Sequence, residues 1–159
     1  MKLQICLCFI GLMAGTVTAT QQIQDRLLYQ GQVYKIGGNV NFPLEKYFES
    51  CSKEKTRKWV ELRLSKNTEG GRVSFNSTAC WRGYVASWAI EADHLVLTAI
   101  QLKLNDEASE SADVLRPVFG DKIKAGKLIA YWFDGHITVK ERSETLFFEK
   151  GRLIRTQSF

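Results

Sequence analysis

Apolar residues recur with a period of two along much of this chain, in short runs separated by polar turns. Tyr84, Ala86, Trp88 and Ile90 alternate with Val85, Ser87 and Ala89, and a second run from His94 to Ile100 follows Glu91-Ala92-Asp93. Two further segments have the same form: Leu128 to Phe133, Asp134-Gly135, His136 to Val139; and Leu146 to Phe148, Glu149-Lys150-Gly151, Arg152 to Ile154. Strict alternation is the signature of a half-buried strand, and Asp-Gly is a strong hairpin signal because both residues tolerate left-handed backbone angles. The pattern therefore predicts a meander of antiparallel hairpins.

Earlier in the chain, Leu27 to Ile36 reads as one opening strand, ended by Gly37-Gly38. Asn41-Phe42-Pro43-Leu44-Glu45 then reads as a helix entrance, with Pro in the first turn where its missing N–H is no loss. Leu44, Tyr47 and Phe48 form an apolar stripe at i, i+3 and i+4, and the helix is expected to end between Ser50 and Lys53. Val60, Leu62 and Leu64 alternate with Glu61, Arg63 and Ser65, which predicts another strand. It pairs across Lys66 to Gly71 with a strand through Val73 and Phe75. The acidic run from Asn105 to Asp113 predicts a solvated loop or exposed helical turns, and Lys122, Lys124 and Lys127 a loop or a strand edge, where lysine discourages unwanted pairing. The expected fold class is mainly β: a curved antiparallel sheet or small barrel-like meander with one short packed helix.

The N-terminus obeys a different rule. Lys2 precedes an almost wholly apolar run from Leu3 to Met13, and Val17-Thr18-Ala19 supplies the modest side chains of a cleavage junction. Residues 1–19 read as a signal peptide, too short in its apolar part to span a bilayer that needs about 20 residues. Residues 20–159 then form a single secreted or periplasmic β-rich domain with no stable transmembrane anchor. Cleavage removes Lys2 and lowers the formal charge from +5 to +4. That mild, well-mixed balance lacks the concentrated basic face of a nucleic-acid binder.

Export changes the reading of the cysteines. Cys6 and Cys8 leave with the signal, and Cys51 and Cys80 remain in an oxidising compartment. A disulfide between them closes a loop of about 30 residues, for which chain entropy gives roughly 3–4 kcal/mol. No C-x2-C pair and no ligand-spaced histidine points instead to a metal thiolate.

Chemistry has few other footholds. His94 and His136 each follow a predicted turn, with Asp93 and Asp134 beside them; together these form the catalytic or metal-ligating set if the two hairpins are neighbours. The plainer reading is four turn-flanking polar residues. Cys80 with a histidine, or Asp134 with Glu141, are weaker pairs still, and no nucleophile elbow, zinc-protease motif, P-loop or dinucleotide fingerprint occurs. No cofactor is implied. Aromatic residues are more telling, because Trp59, Trp81, Trp88 and Trp132 are many for so short a chain. Trp81, Arg82, Tyr84, Tyr131 and Trp132 are the candidate binding residues: rings stack on ligands or partners, and Gly83 permits close backbone approach beside Arg82. The alternative for Trp81 to Tyr84 is a sheet corner held by a stacked arginine. Asn76-Ser77-Thr78 is a formal glycosylation acceptor.

These features together describe a secreted or periplasmic binding or interaction module, in general character an inhibitor-like domain, whose partner is a protein or envelope component. The competing readings are a small metal-dependent or acid–base hydrolase built on the histidines and carboxylates, and a structural envelope protein. Oligomeric state has no signature in the sequence.

Overall fold

The computed structural model describes residues 23–37, 42–66, 68–69, 72–73, 82–102 and 109–159. The signal-like segment, Phe75, Asn76, Cys80, Trp81 and Asn105 to Glu107 lie outside them, so the expectations placed on those residues have no structural counterpart here.

The opening strand is in fact a hairpin. β1 (Asp25–Tyr29) and β2 (Gln32–Ile36) pair antiparallel around Gln30-Gly31, both with positive φ (50° and 78°). Helix α1 (Pro43–Ser50) forms as the sequence predicts, with Pro43 in its first turn and Leu44 and Tyr47 buried. The segment expected as a strand near residue 60 is instead the middle of helix α2 (Lys53–Lys66). Six residues of alternation are too few to separate the two periods. Lys, Glu, Arg and Leu, all good helix formers, decide the matter, helped by the i,i+4 pairs Glu54–Lys58 at 2.9 Å and Arg57–Glu61 at 3.6 Å. Trp59 is the one buried residue of this helix.

After the two-residue strands β3 (Thr68–Glu69) and β4 (Arg72–Val73), the hairpin of β5 (Val85–Glu91) and β6 (His94–Gln101) forms as expected, turning at Ala92-Asp93. β7 (Glu110–Ser111) pairs with the end of β6 and leads through a 3₁₀ turn into helix α3 (Arg116–Phe119). β8 (Ile123–Lys124) and β9 (Lys127–Ile129) form a small hairpin docked on β6, with Lys124 and Lys127 on this edge hairpin and Lys122 in the 3₁₀ turn before it. β10 (Gly135–Val139), β11 (Glu144–Glu149) and β12 (Arg152–Ser158) make an antiparallel ribbon joined to β6 at Arg152 and His94.

The expected hairpin at Asp134-Gly135 does not form. β9 pairs with β6 and β8, and β10 pairs with β11. Gly135 is extended at φ 158°, while Asp134 Oδ1 accepts the Lys150 N–H at 2.6 Å and so pins the β11–β12 turn.

The main sheet runs β10-β11-β12-β6-β5-β1-β2 and is mixed, because β1 lies parallel to β5. This corrects the expected curved antiparallel sheet or barrel-like meander with one short packed helix. A parallel pair needs a long crossover, and here that crossover carries α1 and α2; with α3 there are three separate α-helices among the described residues. No ladder joins the edge strands β2 and β10, so the sheet is not closed into a barrel.

The expected Cys51–Cys80 disulfide is also corrected. Cys51 carries a free thiol at the end of α1, where its Sγ lies 3.4 Å from the Thr56 hydroxyl and 3.7 Å from the Phe48 carbonyl. The cysteine serves the α1–α2 junction instead of a crosslink.

The core fills one face of the sheet. Cross-strand neighbours Tyr34, Leu27, Trp88, Leu97 and Leu128 form a buried row, covered by Leu44 and Tyr47 of α1, Phe119 of α3 and Phe133 and Phe148 near the ribbon. At its margin Asp25 and Arg82, both nearly inaccessible, pair at 3.0 Å. Asp25 also accepts the Ala86 backbone N–H at 3.0 Å and the Trp88 indole N–H at 3.3 Å. Arg82 donates to the Ile23 carbonyl at 2.9 Å and stacks 3.6 Å from the Phe42 ring centroid. Burial pushes the Asp25 carboxyl up from its ordinary range, against the pull of Arg82 and the two N–H donors.

Breaking a buried ion pair from one side strands a charge, at a cost of about 3–5 kcal/mol. Urea unfolding of Asp25→Ala is expected to lose that much, while Asp25→Leu with Arg82→Met recovers only the part due to the stranded charge, because the Ala86 and Trp88 N–H groups stay unpaired; a single-variant loss under about 1 kcal/mol removes the pair from its central role. The glycines give a second check. A Cβ on Gly151 (φ 72°) runs into the Ala130 backbone carbonyl, whereas one on Gly31 (φ 78°) meets nothing within 4 Å. Gly151→Ala is therefore expected to cost about 2–4 kcal/mol and Gly31→Ala about 1, and equal losses in thermal melts contradict the assigned packing.

Candidate functional site

On the sheet face opposite the core, side chains of the alternate register form a second row: Val33, Leu28, Ala89, Val96 and Ile129. A strand pair in register points its partners to the same side, so this row is apolar across five strands although the core lies on the other face. At the β6–β9 end it opens into a groove of about 840 Å³. Val96 and Ile129 are its apolar residues from the sheet. Tyr131 and Trp132, from the turn after β9, and Tyr47 of α1 supply rings, and Glu91, His94, Lys122, Lys124 and Lys127 supply polar groups.

The ring wall is rigid. Trp132 donates its indole N–H to the Pro43 carbonyl at 2.6 Å and packs against Phe119 and Tyr47, with ring centroids 5.5 and 4.9 Å away. Tyr131 is by contrast 60% exposed, edge-on to His94 at 6.0 Å. His94 Nδ1 lies 2.8 Å from the Ala92 carbonyl, an acceptor, so Nδ1 donates to it. Lys127 reaches both carboxylate oxygens of Glu91 at 2.8 Å. Lys122 and Lys124 have no ion-pair partner among the described residues.

The proposed histidine–carboxylate set is not brought together. His136 lies on β10 and His94 on β6, with β11 and β12 between them; three strand spacings make roughly 14 Å. Asp93 lies 3.9 Å from Arg152, and Asp134 is engaged with the Lys150 N–H. Among the described residues no group of three or more His, Cys, Asp or Glu side chains is arranged to hold a metal ion.

The aromatic candidates divide. Tyr131 and Trp132 line the groove together. Arg82 and Tyr84 are buried at the core margin, beside a smaller hollow of about 340 Å³ that also meets Glu45, Trp59 and Arg63. Burial, reinforced by the charges of Asp25 and Glu45, holds the Tyr84 hydroxyl well above its ordinary pKa. Burial also raises Glu45. The close approach at Gly83 is real but internal: a Cβ there falls 2.5 Å from Arg63 Nη2. Arg82 is stacked at this corner on the Phe42 ring. Trp81 lies outside the described residues.

Sequence reasoning missed Val96, Ile129 and the lysines as parts of one site. The available signal was that both parities of Leu128 to Phe133 are bulky, which a one-sided strand does not require. Compared with known proteins, the chain matches no family model, no curated protein and no solved structure.

The bond from Trp132 to Pro43 fixes the groove wall to α1. Trp132→Phe keeps the ring but orphans that carbonyl, and about 1 kcal/mol of stability is expected to go with it. An unchanged melting temperature means that ring packing alone holds the wall.

Proposed function

We propose that the protein is a ligand-binding module, exported on the signal-like residues 1–19, whose groove takes a small molecule with an apolar body. The observation that carries this reading is the apolar lining that Val96 and Ile129, on the sheet face opposite the core, make with the Tyr131 and Trp132 rings. An open sheet face in an antiparallel-rich protein is normally polar. A concave, mainly apolar hollow of a few hundred to about 1,000 Å³ with a few convergent polar groups is the usual form of a small-ligand site. Concavity favours such a ligand over the protein partner expected from sequence. The scattered histidines and carboxylates favour binding over hydrolysis. Among the described residues no helix is long and apolar enough to cross a membrane.

The test uses Nile red, a neutral solvatochromic probe. Saturable, blue-shifted emission at one site per chain is expected, with quenching of tryptophan fluorescence. Ile129→Glu places a charge in the groove and is expected to weaken binding at least tenfold while circular dichroism confirms the fold. Linear, unsaturable uptake, or affinity indifferent to Ile129→Glu and Tyr131→Ala alike, rejects the groove as the site.

A further inference from the structure

The charges around the groove are not balanced. Among the described residues Glu91 is the one acid lining it, and Lys127 occupies both of its oxygens at 2.8 Å. Lys124 stands directly across the β8–β9 ladder from Lys127, and Lys122 lines the same hollow. Like charges directly opposed on one face of a strand pair destabilise it. Glu91 relieves this for Lys127 alone, leaving two cations beside an apolar hollow.

We propose that the ligand is a free single-chain amphiphile with an anionic head, a fatty-acid-like carboxylate, whose head sits between Lys122 and Lys124 while its chain lies on Val96 and Ile129. This inference rests on the groove being a ligand site. Three features support it together. The cations lie on the β8–β9 side, so head and chain have separate places. The hollow is lined by apolar side chains, where each methylene removed from water adds about 0.8 kcal/mol, so that two more methylenes tighten binding by roughly tenfold. The ammonium groups of Lys122 and Lys124 attract an anionic head as point charges.

The experiment displaces Nile red with dodecanoate, dodecanol and dodecyltrimethylammonium, each below its aggregation concentration, at constant pH and ionic strength. Dodecanoate is expected to displace the probe at about one-tenth the concentration of dodecanol, with the cation weakest of the three. The dodecanoate advantage shrinks as salt is raised, since exposed charges are screened. In the double variant Lys122→Ala/Lys124→Ala the ratio of dodecanoate to dodecanol affinity is expected to fall to about one, whereas Lys35→Ala/Lys53→Ala, outside the groove, keeps it. Absence of saturable Nile red binding defeats the underlying site. Saturable Nile red binding with dodecanoate no better than dodecanol, or with the ratio unmoved by Lys122→Ala/Lys124→Ala, overturns the anionic head alone. Cosedimentation with phosphatidylglycerol vesicles by a protein indifferent to monomeric dodecanoate also overturns it, because the lysines then serve a membrane surface.

Discussion

The buried pairing of Asp25 with Arg82 is the constraint on which the architecture turns. Asp25 opens β1 and Arg82 precedes β5, and the crossover containing both longer helices lies between them. A parallel β1–β5 contact gains nothing from a local turn, so its register must be fixed by contacts between residues far apart in sequence. The carboxylate supplies them by accepting from Arg82, from the Ala86 backbone and from the Trp88 indole at once. Trp88 is the largest fully buried side chain among the described residues, and its ring is thereby aligned with Leu27 across the ladder. A buried ion pair stabilises little against an apolar replacement, and its best-attested value is in setting register. That is its place here.

Once β1 is fixed against β5, the two faces of the sheet have separate destinies. The face carrying Leu27, Trp88 and Leu97 receives the helices and the ribbon. The other face carries Leu28, Ala89, Val96 and Ile129, and its exposed end at Leu28 and Val33 shows that apolar character continues beyond what packing demands. Leu28 and Val33 are the exposed part of this row, while Ala89 and Val96 in its middle are buried and Ile129 is half-buried. The groove lies where that row meets lysines and rings, and the ligand-binding role proposed above rests on that lining.

Local features were legible from the sequence, and long-range ones were not. The β5–β6 and β11–β12 hairpins and helix α1 follow from short-range signals: alternation, tight turns and a proline in the first helical turn. Leu27 to Ile36 looked continuous because Gln30-Gly31 is a less familiar turn pair than Asn-Gly, although Gly31 supplies the same positive φ. Asp134-Gly135 misled in the opposite sense: tertiary pairing of β9 with β6 overrode the turn propensity. The parallel strand pair had no local signature at all, and the disulfide was inferred from compartment and count without knowledge of where Cys51 packs. In the site, Tyr131 and Trp132 were visible as aromatic excess. Val96, Ile129 and the lysines were not, because pairing of β9 with β6 brings together residues more than thirty positions apart.

The core and the groove are joined through two adjacent residues. The Phe42 ring covers the Arg82 guanidinium, and the neighbouring Pro43 carbonyl receives the Trp132 indole N–H. The N-terminus of α1 thus holds the buried ion pair with one residue and the groove wall with the next. Pro43 has a fixed φ, so the dipeptide has little freedom to yield at one end alone. The same rigidity keeps the hollow from collapsing when empty: closing it requires Trp132 to leave both its hydrogen bond and its contacts with Phe119 and Tyr47. A preformed apolar hollow is therefore a consequence of how the crossover is anchored, and its shape is set by the same contacts that hold β1 beside β5.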